Sequence, residues 1–187
     1  MTTLKEYLDQ AELAQVAYGN FSLGTPSIDK LMSDKVGLST KQADVFSKRY
    51  RVLATADSYG IGNSSGFDAV LFYDKDNNKY VMSIRGTELT SLADIYSDIL
   101  LIKNGVAYDQ TNDLSLFYET LISNNVLSST DNLDVTGHSL GGVLAQVFSA
   151  TNPDVVNNTY TYNAPGIGGL TAEVYEILGV TSGNIAN

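Results

Sequence analysis

Ser139 stands at the centre of "LDVTGHSLGGVLAQVF", residues 133–148, flanked two positions either side by Gly137 and Gly141. A serine between two glycines, after a short apolar strand and before an apolar helix, is the pattern of a sharp strand-to-helix turn that exposes a nucleophilic hydroxyl. The glycines have a steric reason: side chains at those positions would collide with the neighbouring strand and helix. Such a turn would lift the Ser139 hydroxyl above the C-terminal edge of a sheet. The backbone N–H of Leu140, at the new helix's N-terminus, would point to where an oxyanion forms. Acyl transfer by serine also needs a base that reaches the hydroxyl from outside the turn. The only histidine of the chain, His138, is the residue next to the serine.

The elements that must hold this turn can be read along the chain. Residues 2 to about 56 carry helical periodicity, with apolar Leu4, Leu8, Ala11 and Tyr18 in the first stretch. Breaks fall at "GNFSLGTP" and "SDKVGLST", where Gly, Pro, Ser and Asn supply turns and caps. The turn-rich "DSYGIGNSSG", residues 57–66, gives way to "FDAVLFYD" and "KYVMSIRG", strand-like runs joined by "KDNN" and expected to form a hairpin. Beyond Arg85 helical and strand segments alternate: "SLADIYSDILLI", "DLSLFYETLISNNVL", "LDVTG", "GGVLAQVFSATN", "NTYTYNAP" and "TAEVYEIL". This alternation predicts an α/β fold, a mostly parallel sheet flanked by helices. One domain is expected over residues 1–187, with a helical segment at 1–56 and an α/β core at 67–187.

The string G-H-S-L-G-G, Gly137 to Gly142, with the strand and helix around it, resembles the class 3 lipases of the α/β-hydrolase superfamily. "VMSIRGTELTSLADIYSDI" is similar to that family's segment in which a strand ends in Arg-Gly-Ser or Arg-Gly-Thr and leads toward a lid. "YTYNAPGIGG" resembles the strand and loop after the elbow helix, and "LAQVAYGN" the N-terminal helix. The resemblance implies an α/β-hydrolase fold and carboxylic ester hydrolysis on acyl glycerols or phospholipids, with no metal and no cofactor. It makes Ser139 the nucleophile, with Leu140 and Thr87 as oxyanion-hole residues. Gly137, His138, Gly141 and Gly142 become structural residues of the elbow, the His138 ring pointing away from the hydroxyl. Similar bacterial lipases carry C-terminal calcium-binding repeats and a C-terminal export signal.

The family order is serine, then acid, then histidine, and residues 140–187 contain no histidine. The later carboxylates are Asp154, Glu173 and Glu176. Asp154 falls at the wrong end of the sheet, and the other two fall in an apparent surface helix. The catalytic acid and histidine are therefore expected outside this chain, residues 1–187 being the front part of a longer, incomplete lipase domain with little turnover of its own. Two alternatives remain: a non-catalytic binding module on a hydrolase scaffold, and a non-lipid serine hydrolase such as a thioesterase or peptidase.

Composition narrows the partners. A formal charge of −10 argues against nucleic acid. The chain has no cysteine, so neither disulfides nor thiolate metal sites are available. The N-terminus lacks the basic region and apolar run of a secretory signal, and no segment has the length of a membrane span; compartment stays open. "LADIYSDILLI", residues 92–102, reads as core helix or as a lid. "DKDNN", residues 74–78, imitates the start of a calcium loop, but Lys79 and Arg85 stand where glycine and glutamate should be, so a hairpin turn is expected. "GIGNSSG" lacks the lysine of a phosphate-binding loop and reads as a connector.

Overall fold

The computed structural model describes residues 3–86 and 106–164. Helix α1, Leu4–Val16, starts where the Thr3 hydroxyl accepts the Glu6 N–H. It buries Leu13, Ala14 and Val16 against the sheet. Two buried hydroxyls pin it there: Ser83 donates to the Leu13 carbonyl at 2.6 Å, and Thr136 to the Gln10 carbonyl at 3.0 Å. After the short α2, Ile28–Leu31, comes α3, Thr40–Arg49, closed at its start by a capping box between Ser39 and Gln42.

Five strands follow in one sheet: β1 Tyr50–Thr55, β2 Ala69–Asp74, β3 Lys79–Ile84, β4 Leu133–His138 and β5 Val156–Tyr162. They lie side by side in chain order. The β1/β2 and β2/β3 pairs are antiparallel, and the β3/β4 and β4/β5 pairs are parallel. Helix α4, Val106–Ser123, precedes β4, and α5, Leu140–Thr151, connects β4 to β5. The expected α/β architecture is present, but the sheet is mixed rather than mostly parallel. A turn as short as that between Asp74 and Lys79 permits only antiparallel pairing; parallel neighbours need a crossover helix.

A second correction concerns residues 50–55, expected to continue the N-terminal helical pattern. They form β1, whose Tyr50 and Val52 pack in the layer of α1 and α3. A register shift between Val52 and Ala54 turns Ala54 into the opposite layer. That layer, under α4 and α5, is built on Leu71, Met82, Phe117, Leu133, Val135 and Phe148. Both faces of the sheet are thus covered, which is why β4 is buried along Leu133–Gly137. No helix among the described residues is long and apolar enough to cross a membrane.

Candidate active site

Strand β4 ends at His138, α5 begins at Leu140, and Ser139 alone makes the reversal. Its backbone lies at φ 55° and ψ −125°, a conformation that L-residues rarely adopt and that costs about 1–3 kcal/mol. The surroundings hold it there. The Ser139 N–H donates to the Tyr162 carbonyl of β5 at 3.0 Å, and the Ser139 carbonyl accepts from Gly142 at 3.0 Å and Val143 at 3.3 Å. Ser139 is 2% exposed, and its hydroxyl makes no hydrogen bond among the described residues. Leu140 is the first helical residue, so its N–H has no acceptor within α5.

The glycines around the turn are fixed by close approach. A Cβ on Gly141 would lie 2.9 Å from the Arg85 carbonyl carbon and the Gly86 nitrogen, and closer still to the Ile84 carbonyl oxygen. A Cβ on Gly137 would meet the Gly142 nitrogen at 2.7 Å and the Gly141 carbonyl at still shorter range. At Gly142 it would meet the Ala164 Cβ at 2.5 Å. Sequence reasoning missed Gly86, where a Cβ would fall 2.5 Å from the His138 carbonyl oxygen and 2.7 Å from the Tyr18 hydroxyl. The end of β3 is therefore pressed directly against the elbow. Thr87, the next residue, lies outside the described residues, as do the segment 92–102, Glu173 and Glu176.

The His138 ring is engaged away from the turn: its Nδ1 hydrogen bonds with the Tyr18 hydroxyl at 3.2 Å, and the two rings meet edge to face. Burial holds the imidazole below its ordinary value, so it is neutral at pH 7. Tyr18 was also missed as a site neighbour, because nothing local marks a contact between residues so far apart in sequence. Asp154 precedes β5, which runs parallel to β4, so it sits at the end of the sheet opposite Ser139.

That opposite end carries the charged networks. Arg49 donates to both Asp74 carboxylate oxygens, at 2.9 and 2.7 Å, and to Asp9 at 2.7 Å. Burial alone would raise Asp74, but hydrogen bonds from Arg49 and Asn77 outweigh it and hold the carboxyl below the usual range. Lys79 bridges Glu6 and the buried Asp134. The segment 74–78 is the β2–β3 turn, with Asp74 committed to Arg49 and Asn77.

Comparison with known proteins bears on the fold. Lip2 lipase from Yarrowia lipolytica superposes with a TM-score of 0.57 at 18% identity, over 86% of this chain and 59% of that one. Lipase II from Rhizopus niveus gives 0.47 at 13% identity, over 94% and 69%. A lipase from Rhizopus microsporus var. chinensis gives 0.41 at 13% identity, over 88% and 59%. The chain thus spans 59% of the length of Lip2 lipase, and the two share an α/β-hydrolase fold. No curated protein sequence gives a significant match. The family model described as a domain of unknown function, DUF6792, matches residues 10–167, and the chain accordingly belongs to the DUF6792 family.

Proposed function

We propose that this chain is the nucleophile-bearing part of a serine-dependent carboxylic ester hydrolase acting on acyl esters of lipids. The observation that carries the reading is Ser139 itself, a non-glycine residue held at φ 55° on a strand-to-helix turn. The chain at the end of β3 is pressed close enough to the turn to exclude any side chain at Gly86 and Gly141. Strain of that kind persists only where the surroundings over-determine it, and a serine at the N-cap of α5 supports a reading in which the helix start stabilises an oxyanion.

In this reading Ser139 Oγ attacks the ester carbonyl carbon while its proton passes to a base. The Leu140 N–H, together with Thr87, stabilises the tetrahedral oxyanion, and collapse expels the alcohol with that proton. Water then hydrolyses the acyl-serine by the same steps. His138 is a poor candidate for the base, because its ring is turned to Tyr18. His138 is the only histidine of the sequence, so the reading requires a base that these residues do not show. Loss of the histidine from such a triad costs about 10⁶-fold in turnover, so residues 1–187 alone should hydrolyse very little.

The test is hydrolysis of a short-chain aryl ester by residues 1–187 and by the native protein, each beside Ser139→Ala, with folding checked by circular dichroism. The expected pattern is near-background rates for residues 1–187 and a rate in the native protein that Ser139→Ala abolishes. A native rate indifferent to Ser139→Ala would refute the reading. The competing reading, a non-catalytic module on this scaffold, is favoured by the His138–Tyr18 engagement and predicts no turnover in either form.

A further inference from the structure

The chain leaving β3 is anchored on both sides within two residues, to β2 at Arg85 and to the elbow at Gly86. On the β2 side the Arg85 N–H donates to the Asp68 carbonyl at 3.0 Å, one step beyond the pairing of Ala69 with Ile84. The Arg85 side chain is tied to the same stretch. Its guanidinium meets the Asp68 carboxylate at 3.1 Å and donates to the Gly66 carbonyl at 3.3 Å. The two side chains are only 21% and 15% exposed, so solvent screens this pair less than it would a surface one.

On the other side, the peptide between Arg85 and Gly86 lies against the first turn of α5. A Cβ on Gly141 would stand 2.9 Å from the Arg85 carbonyl carbon and 2.9 Å from the Gly86 nitrogen, and a Cβ on Gly86 would stand 2.5 Å from the His138 carbonyl oxygen. Gly86 has no side chain with which to grip its neighbours, and glycine has the widest backbone freedom of any residue. From the β2 side its place is fixed by the residue before it. The ion pair is not needed to register the strand, since β3 is already paired with β2 from Lys79 to Ile84 and with β4 from Tyr80 to Ile84. Placed just past that ladder, it governs the direction in which the chain leaves the sheet.

We propose that Arg85, paired with Asp68, is a positioning residue for ester hydrolysis, holding the 85–86 peptide against the elbow so that the oxyanion meets its donors in register. The assignment rests on the ester-hydrolase reading, in which Thr87, the next residue, serves the oxyanion together with the Leu140 N–H. In this role Arg85 acts through the backbone and need not touch the substrate. The native protein is compared with Arg85→Met, Arg85→Lys and the double variant Asp68→Asn/Arg85→Met on a short-chain aryl ester, at a temperature where circular dichroism shows every variant folded. Arg85→Met leaves the Asp68 carboxylate without its cation and should lose both stability and rate. The double variant removes both charges, so its urea melt should return toward that of the parent. Its kcat should nevertheless stay about 10–100-fold down with KM within about twofold, as misplacement of a group that acts only in the transition state predicts. Arg85→Lys keeps a cation beside Asp68 and should recover part of the rate. In ¹⁵N-labelled residues 1–187, the amide signals of Ser139 to Gly142 should move in Arg85→Met and in the double variant. A double variant that regains the parent kcat along with the parent stability would show a merely structural pair and overturn the proposal, as would elbow signals that stay in place or a loss confined to KM. Where hydrolysis depends on Ser139, any of these results overturns the positioning role alone; where the native protein shows no Ser139-dependent hydrolysis, that role falls together with the hydrolase reading.

Discussion

Gly141→Ala separates helix propensity from elbow packing by the sign of its effect. Gly141 is the second residue of α5 and its φ is not positive, so at an open site alanine would stabilise the helix by up to about 1 kcal/mol. Here the added methyl would fall 2.9 Å from two backbone atoms of Arg85 and Gly86 and closer to the Ile84 carbonyl. Backbone cannot rotate aside. The start of α5 would have to move from β3 by several tenths of an ångström, loosening a helix whose Val143, Leu144, Val147 and Phe148 are all buried. Overpacking of this kind costs about 3 kcal/mol, near the top of its usual range. Net of propensity, about 2 kcal/mol of stability is lost, which for a chain of this size lowers Tm by about 4–8 °C. Thermal melts followed by circular dichroism read the change. A variant that melts at or above the temperature of the parent would show that the elbow is not pressed against β3.

Other expectations follow from the same geometry. As the only histidine, His138 gives a single imidazole signal, and NMR titration should find its pKa below 6.5; protonation then favours the unfolded chain, so this group's stability is complete above about pH 6.5 and is lost as pH falls. Tyr18→Phe removes its hydroxyl partner, should cost about 1 kcal/mol, and should shift that signal; an unmoved signal would contradict the contact. Arg49→Met leaves the buried Asp74 without its main partner and should destabilise by about 3 kcal/mol in a urea melt at pH 7. Because Asp74 is held below its ordinary value of 3.8, the stability it contributes is present above that pH and lost as pH falls through its lowered pKa. The difference between parent and Arg49→Met should shrink over that window.

Local structure held in one continuous string was legible, because the constraints on it are local. A strand of buried apolar residues, a glycine-flanked serine and an apolar helix specify a turn wherever they occur together, and β4, Ser139 and α5 are that turn. The hairpin of β2 and β3 was legible for the same reason, its turn residues standing between two strand-like runs. What depends on partners distant in sequence was not. Residues 50–55 are short and ambiguous in period; pairing with β2 and the shift at Val52 make them a strand packed into both layers. The mixed sheet follows from that pairing.

The sequence by itself determined a serine on a strand-to-helix turn and a lone histidine beside it. Only the tertiary structure decided where that histidine turns, since its partner Tyr18 lies in the turn just after a helix pinned to the sheet through Ser83 and Thr136. Only the tertiary structure likewise showed why Gly86 and Gly141 admit no side chain: the end of one strand is packed against the start of a helix that follows another, and contact between backbones leaves no mark on local periodicity.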